Sequence, residues 1–220
     1  MAKWLPETLT KDVPPAPLRG AIGEYKRLFA NLPFLGYALT GGFAVAGMFA
    51  YIAGSPFVFI ELYGIPVEHY GLLFGSNALG FIAVAQLNAW LVARHGPAYW
   101  LGKTVWFYLA CGLALLMVAL AEPQALWPLL IPLFGCIACL GILLPNASAC
   151  AMAGQGRHAG SASALLGSLQ FVIAASAAAM VGVLHDGSAW PVAVVIFACG
   201  LLAVGFSLFT RWAERSHVQG

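Results

Sequence analysis

Charged residues are scarce in this chain of 220 residues, where Asp, Glu, Lys and Arg together make up 8% and hydrophobic residues make up 61%. A soluble domain carries about 25% charged residues, because its surface has to stay hydrated. Such a composition excludes a soluble enzyme, a nucleic-acid-binding protein and a disordered linker. The surplus of apolar side chains must face lipid, so the bilayer is the first partner that we expect.

Catalytic and metal-binding patterns are also missing. The five cysteines lie within apolar runs, where cysteine behaves as a small hydrophobic residue. Cys136 and Cys139 have a spacing typical of metal ligands, but no third or fourth ligand stands near them in the sequence. The five histidines lie in links or near the end of the chain, and no G-x-S-x-G motif occurs. We therefore expect no enzymatic activity, no metal and no cofactor.

Six long apolar runs follow the polar first 33 residues. Each is long enough for the roughly 20 helical residues that cross a hydrocarbon core of about 30 Å. The runs cover 34–54, 70–92, 99–121, 126–149, 162–184 and 189–209. The links between them are short, so neighbouring helices should be antiparallel. The sequence thus predicts an all-α integral membrane protein, with a bundle of six transmembrane helices at 34–211.

The two ends of the chain are polar. Residues 1–33 hold five of the thirteen prolines and five of the ten Lys and Arg residues, which is typical of a water-exposed strap. Within this strap, 19–32 has the pattern of a short interfacial helix. Its apolar residues Ile22, Leu28, Phe29 and Leu32 are expected to face lipid. Residues 212–220 form a short polar tail.

The positive charges all lie at one end of the predicted bundle. Five of the ten Lys and Arg residues lie in the strap, and the others lie at or beside the link between the second and third runs, the link between the fourth and fifth, and the end of the chain: Arg94, Lys103, Arg157, Arg211 and Arg215. The opposite links contain Glu61, Glu68, Glu122 and Asp186 and no Lys or Arg. Because loops rich in Lys and Arg stay in the cytoplasm, both termini are predicted to be cytoplasmic. An even number of spans requires the same arrangement.

Uncharged amides occupy the interior of the predicted helices. Asn77 and Asn88 lie in the second run, Asn146 late in the fourth and Gln170 in the middle of the fifth. An amide facing hydrocarbon costs free energy, so each should face the bundle or a wet cavity. Interhelical hydrogen bonding explains them as well as contact with a substrate does, and the sequence leaves both readings open.

Two further features are candidates for gating. Pro56 lacks a backbone donor and should kink or end the first helix, with aromatic residues on both sides of the break. Those aromatic residues fit a moving gate or a lipid-interface belt equally well. Glu61 follows the break and lies at the outer mouth, where it is a coupling candidate or an ordinary loop charge.

Several stretches resemble one transporter family. They are WLPETL at 4–9, AGMFAY at 46–51, SPFVFIE at 55–61, LNAWLVARHG at 87–96, PNASA at 145–149, AGSASALLG at 159–167 and LQF at 169–171. The chain resembles the C-terminal half of a major facilitator superfamily transporter of the Bcr/CflA multidrug-efflux subfamily. In this comparison, 4–9 corresponds to the end of the sixth helix and the strap to the central cytoplasmic loop.

The resemblance implies a bacterial inner-membrane proton antiporter that expels small hydrophobic drugs. It implies two six-helix halves, each built from two inverted three-helix repeats. Substrate-cavity residues would include Tyr51, Asn77, Asn146 and Gln170, and Arg94 would be the loop-motif cation that holds the cytoplasmic side closed.

The resemblance also implies that the acidic proton site belongs to an N-terminal half that this sequence does not contain. Alternating access needs two halves that rock about a shared site. The expected partner is therefore an N-terminal six-helix half or a second copy of this chain. The alternative is a non-transporting six-span protein, either a truncated remnant or a subunit that binds a membrane partner.

Overall fold

The computed structural model describes residues 18–218, with side chains described for 23–156 and 158–215. In this part of the chain all regular secondary structure is helical. Residues 1–17 of the predicted strap, with the stretch at 4–9, lie outside the described residues, as do residues 219–220.

Six of the described helices are long and apolar enough to cross a membrane, as the sequence predicted. A short helix precedes them, a π-helical segment (Phe57–Leu62) continues the first span, and a 3₁₀ turn (Gly156–His158) follows the fourth. The α-helices are α1 (Leu18–Ala30), α2 (Leu32–Pro56), α3 (Val67–His95), α4 (Pro97–Leu120), α5 (Trp127–Met152), α6 (Ala159–Val183) and α7 (Trp190–Val218). The spans are α2 with its π-helical segment, and α3 to α7.

Local signals in the sequence set the helix boundaries. The side chain of Asn31 accepts a hydrogen bond from the backbone N–H of Phe34 (3.1 Å), which caps the start of α2. Gly96, with φ of +76°, separates α3 from α4, and Pro97 opens α4. Such a φ favours glycine, and proline is tolerated in a first helical turn because no intrahelical N–H bond is lost there.

The six spans pack as two matching groups of three helices. Central helix α2 packs on α6 and α7, while central helix α5 packs on α3 and α4. The two central helices contact each other, and so do α4 and α7. If α2, α3 and α4 are exchanged with α5, α6 and α7, in that order, the same set of contacts is therefore obtained. Because α2 and α5 run in opposite directions, this is the symmetry of two inverted three-helix repeats, as in half of a major facilitator fold.

The break predicted at Pro56 takes the form of a change in helix type. The chain stays helical beyond Pro56 and continues as the π-helix to Leu62. The backbone N–H of Tyr63 then bonds the carbonyl of Val58 (3.2 Å), which is the wider spacing of a π-turn. The first span therefore covers Leu32–Leu62 and reaches beyond the apolar run at 34–54.

Helix α1 forms where the interfacial helix was expected, but one of its apolar residues points inward. Phe29 is exposed, as a lipid-facing residue would be, whereas Leu28 is only 3% exposed. Leu28 packs in a small core with Phe34 of α2 and with Ala162 and Leu165 of α6. The expectation that Leu28 faces lipid is wrong, because α1 docks on the bundle along that side.

Polar contacts hold α1 against the start of α6. Ser161 Oγ donates to Glu24 Oε2 (2.6 Å), and His158 Nδ1 lies 3.2 Å from Glu24 Oε1. Arg27 Nη1 lies 3.4 Å from His158 Nε2. The hydrogen bond from Ser161 is the main reason that the pKa of Glu24 lies below its usual value. Glu24 is thus a carboxylate placed beside the first turn of α6, where the helix dipole favours negative charge.

Candidate functional site: an aromatic and amide cluster between α2 and α3

Four aromatic rings from α2, its π-helical segment and α3 form a closed cluster. Tyr51 stacks on Phe74, with ring centroids 5.6 Å apart and planes 12° apart. Phe74 contacts Tyr70 (6.0 Å), Tyr70 contacts Phe59 (6.1 Å), and Phe59 contacts Tyr51 (6.5 Å). Such contacts add about 0.5–1.5 kcal/mol per pair beyond the burial of area, so this cluster is a firm part of the fold.

Polar atoms lie at two edges of the same cluster. Asn77 Nδ2 donates to the carbonyl of Leu73 (3.0 Å) and to the hydroxyl of Tyr51 (3.4 Å). The hydroxyls of Ser55 and Tyr70 are 3.0 Å apart. We call the six residues Tyr51, Ser55, Phe59, Tyr70, Phe74 and Asn77 the aromatic–amide cluster.

One polar atom of the cluster has no partner within the described part of the chain. Asn77 is 2% exposed, and its Oδ1 accepts no hydrogen bond there. A buried acceptor without a donor costs about 1–3 kcal/mol, so such atoms in native structures call for a water molecule or a ligand. Asn77 Oδ1 is therefore the acceptor of this cluster that a water molecule or a ligand would satisfy.

Asn146 lies away from this cluster and pairs with another amide. Asn146 Nδ2 donates to Asn88 Oδ1 (2.9 Å), and Asn88 Nδ2 donates to Asn146 Oδ1 (3.3 Å). Both residues are buried and join α3 to α5. This reciprocal pair is the interhelical hydrogen bonding that the sequence allowed as one reading. The cavity role of Asn146 stays a prediction.

Gln170 stands where α6 meets the two central helices. Its Nε2 lies close to Gly41 of α2, 3.4 Å from the place that a Cβ atom would occupy, and Ala147 of α5 borders the same glycine. Gln170 is half-buried, in contrast to the fully buried Asn77 and Asn146. Its side chain is thus the most accessible of the three candidate amides.

The gating candidates lie at the ends of the spans. Glu61 is exposed near the end of the π-helical segment that follows Pro56. Arg94 is exposed in the last turn of α3, with its guanidinium 4.1 Å from the ring centroid of Trp90. A cation at this position also interacts favourably with the helix dipole. Neither residue belongs to the aromatic–amide cluster.

Charge is confined to the two ends of the described bundle. Glu61, Glu68, Glu122 and Asp186 lie at the end where α2 joins α3, α4 joins α5 and α6 joins α7. Asp186 accepts hydrogen bonds from Ser188 and from the indole of Trp190, which lower its pKa. Among the described residues, no group of three His, Cys, Asp or Glu side chains is arranged to hold a metal ion.

Sequence reasoning found Tyr51 and Asn77 but missed the residues that join them. Ser55, Tyr70 and Phe74 were not candidates, although a signal for them exists. Tyr51, Ser55 and Phe59 recur at every fourth position, and Tyr70, Phe74 and Asn77 follow the same helical period. Each stripe marks one face of its helix, although the stripes alone do not show that the two faces meet.

Known proteins resemble most of the chain. No family model matches it. However, the chain is 30% identical to the uncharacterized MFS-type transporter YdgK of Bacillus subtilis over 193 residues, which are 86% of this chain and 46% of that protein. Over these residues the chain is similar to a member of the major facilitator superfamily. Two further relatives are named for drug resistance.

The Bicyclomycin resistance protein homolog of Haemophilus influenzae is 27% identical over 201 residues, which are 91% of this chain and 50% of that protein. Multidrug resistance protein D of Escherichia coli is 30% identical over 211 residues, with 93% and 50% covered. The chain thus spans about half the length of these relatives. With six spans and bacterial relatives, it is a multi-pass protein of the bacterial inner membrane.

Proposed function

We propose that this chain is the C-terminal half of a Bcr/CflA-type efflux transporter, which exports small hydrophobic drugs in exchange for protons. The observation that carries the proposal is the match along about nine-tenths of the chain to half of proteins named for multidrug and bicyclomycin resistance. The six-helix bundle of inverted repeats agrees with it, because two such bundles make one transporter. No enzymatic step is part of this proposal.

In the proposed orientation both termini are cytoplasmic. The described loops at the end with α1, Arg94 and Lys103 hold the cations, and the opposite loops hold Glu61, Glu68, Glu122 and Asp186. The positive-inside rule then places the aromatic–amide cluster in the outer half of the membrane. The Asn88–Asn146 pair lies in the inner half.

The aromatic–amide cluster supports a substrate contact in this half. The half-buried rings of Tyr70 and Phe74 offer apolar surface, and Asn77 Oδ1 is an unused acceptor in the same cluster. A small hydrophobic drug with one donor group would match both features. Gln170 would add a half-buried polar contact from α6.

Proton coupling would come from the other half. The middle portions of the described spans contain no Asp, Glu, Lys or Arg, and intramembrane ionisable residues are the usual carriers of protons. We therefore assign the proton site to an N-terminal six-helix half, or to an assembly with a second copy of this chain.

Two spans leave surface for such a partner. In α3 only Asn77, Gly80 and Asn88 are buried. The exposed face of α6 consists largely of small residues, which let helices approach closely: Gly160, Ser163, Ala164, Ser168, Ala175, Ser176 and Ala179. Both helices lie at the edges of the bundle, so each can contact a second bundle without rearranging the first.

Co-expression tests the proposed function. The chain would be produced in drug-sensitive bacteria alone, and together with the N-terminal half of Multidrug resistance protein D. Efflux of a lipophilic fluorescent drug is expected only from the pair, and it should stop when the proton gradient is collapsed. If the chain alone exports the drug and purifies as a dimer, the partner is a second copy of the chain and not an N-terminal half. No export from either would favour the non-transporting alternative.

Substitutions then test the site in the exporting assembly. Asn77→Leu should change the order of drug preference by removing the free acceptor, and Gln170→Leu should do the same more weakly. Ser76→Ala is the matched control, because Ser76 is exposed on α3 and bonds only the carbonyl of Leu73. An unchanged drug profile in Asn77→Leu, at equal protein level, would assign the amide to packing alone.

A further inference from the structure

An apolar groove of about 500 Å³ opens on the side of the bundle between α3 and α4. These two helices contact each other little, and α5 forms the floor between them. Val84 and Leu87 line the wall on α3, Phe107 lines the wall on α4, and Phe134 and Ala138 line the floor. The volume falls in the range of about 300–1,000 Å³ that is typical of ligand sites, and the lining suits a flexible hydrocarbon.

The groove is closed at the end where α3 joins α4. The indole N–H of Trp100 donates to the carbonyl of Leu91 (3.0 Å) and so ties the two walls together. Lys103 also lines the groove, on the α4 wall. Its Nζ lies 4.7 Å from the ring centroid of Tyr99, one turn nearer the membrane surface. A lysine at a membrane boundary commonly has this conformation, with its ammonium group among the lipid headgroups and its aliphatic part in the hydrocarbon.

The groove contains one cation. Lys103 is the charged residue among those that line it, and most of the others are apolar. The groove thus combines an apolar channel with one lysine near its closed end. A molecule that fits both parts has a long hydrocarbon chain and a negative group at one end.

The geometry points to a binding site for an anionic phospholipid, with one acyl chain in the α3–α4 groove and the phosphate beside Lys103. Basic pockets between transmembrane helices are a recurrent way to hold acidic lipid headgroups. The site would keep α3 apart from α4 while filling the gap over α5. It does not depend on the proposed function, because lipid binding needs neither transport nor a partner half.

The inverted repeat supplies an internal comparison. A groove of about 330 Å³ lies between α6 and α7 against α2, at the opposite end of the bundle. Its lining includes His185 and Ala178 but no lysine or arginine, and Asp186 follows His185 in the same loop. Charge complementarity to an anionic lipid is therefore found in the α3–α4 groove and not in its counterpart.

The test is native mass spectrometry of the purified full chain with equal amounts of phosphatidylglycerol and phosphatidylcholine that carry the same acyl chains. A phosphatidylglycerol adduct should exceed the phosphatidylcholine adduct by about fivefold, the ratio that corresponds to one lysine beside the phosphate. Lys103→Gln should bring the two adducts to equality. Ala138→Phe should remove both, because the ring fills the floor of the groove.

Two controls make the test specific. Lys26→Gln removes an exposed cation from α1 at the same end, and Ala178→Phe fills the opposite groove, so both should keep the preference. Leu87→Trp narrows the groove from an exposed wall position and serves if Ala138→Phe does not fold. Equal adducts in the unmodified chain, or a preference that survives Lys103→Gln or the filled groove, would overturn the proposal.

Discussion

Buried amides are the residues on which both the fold and the candidate site depend. In a membrane interior the alternative to a hydrogen bond is an unsatisfied polar group in hydrocarbon, so each amide needs a partner. Asn88 and Asn146 supply each other with two hydrogen bonds, whereas Asn77 keeps one acceptor free. The first arrangement is suited to holding helices together, and the second is suited to receiving a ligand.

This distinction gives a prediction for the Asn88–Asn146 pair. Asn146→Leu should destabilise the bundle by about 1–2 kcal/mol, because it removes two hydrogen bonds and leaves the Asn88 amide buried without a partner. The double variant Asn88→Leu with Asn146→Leu should recover part of this loss. Denaturant unfolding of the purified chain, read as a double-mutant cycle, measures the coupling. Additive losses would show that the two amides act independently.

A second prediction concerns the carboxylate of Glu24, which ties α1 to α6. Because its pKa is lowered in the folded chain, ionised Glu24 stabilises the docked α1 above its ordinary pKa. That stabilisation is lost as the pH falls through the lowered value. Spin labels at Gly23→Cys and Gln155→Cys, in a background without the native cysteines, should show a narrow distance distribution at about pH 6 that broadens progressively as the pH is lowered below the ordinary carboxyl pKa.

The control for this measurement is Glu68→Gln, which removes a carboxylate from the opposite end of the bundle and should keep the pH response. Glu24→Gln should give the broad distribution throughout this pH range. A distribution that narrows with acid, or that is the same in Glu24→Gln and the unmodified chain, would contradict a role for this carboxylate in docking.

At this scale the sequence identified residues but not their partners. Asn77 could be proposed because an amide inside an apolar run is conspicuous, whereas Tyr51 was a candidate only through the resemblance to the transporter family. The contact between these two residues could not be predicted, since it depends on how α2 and α3 are rotated about their axes. For the same reason, the sequence left open whether Asn146 faces a cavity or a neighbouring helix, and only the packed helices show that it meets Asn88.

Close packing of α3 on α5 is the clearest energetic feature at the scale of the helices. A Cβ atom on Gly141 would lie 2.5 Å from the carbonyl oxygen of Phe81 and 2.6 Å from the backbone nitrogen of Ala85. Those are backbone atoms, so relief requires that the two helices move apart. The glycine therefore fixes the spacing that lets Asn88 and Asn146 reach each other along the same pair of helices.

Gly141→Ala should accordingly destabilise the chain by about 1–3 kcal/mol, the usual cost of an overpacked contact. Gly205→Ala is the matched control, because a Cβ atom there would meet nothing within 4 Å. Thermal unfolding of both variants in mild detergent gives the comparison. Equal stability of the two variants would mean that α3 and α5 can move apart without a loss of stability.

Helix number was within reach of the sequence, but helix detail was not. Six apolar runs of sufficient length predict six spans, because only helices satisfy their own backbone in lipid. The sequence did not predict the π-helical extension beyond Pro56, because a proline indicates a lost hydrogen bond but not how the backbone compensates for it. It did not predict that Leu28 faces inward either, since periodicity shows an apolar face without showing what covers that face.

At the scale of the whole molecule, the number of spans and the distribution of charge both bear on the orientation in the membrane. An even number of spans places both ends of the described bundle on one side, and the cations at that end predict, by the positive-inside rule, that this side is cytoplasmic. A second copy with the same charge pattern would insert in the same orientation. Two parallel bundles are what a pair of transporter halves requires.

Orientation is therefore the last prediction, and it bears on every partner proposed above. In intact cells with the native cysteines replaced, a membrane-impermeant maleimide should label Gln124→Cys and Gly187→Cys from outside, because both lie in links at the acidic end. Gln155→Cys, in the link before α6, should react only after the membrane is opened. Labelling of Gln155→Cys alone in intact cells would show that the bundle has the inverted orientation, with the aromatic–amide cluster in the inner half of the membrane. Labelling at both ends would show dual insertion, and an antiparallel pair of copies would then replace the parallel transporter.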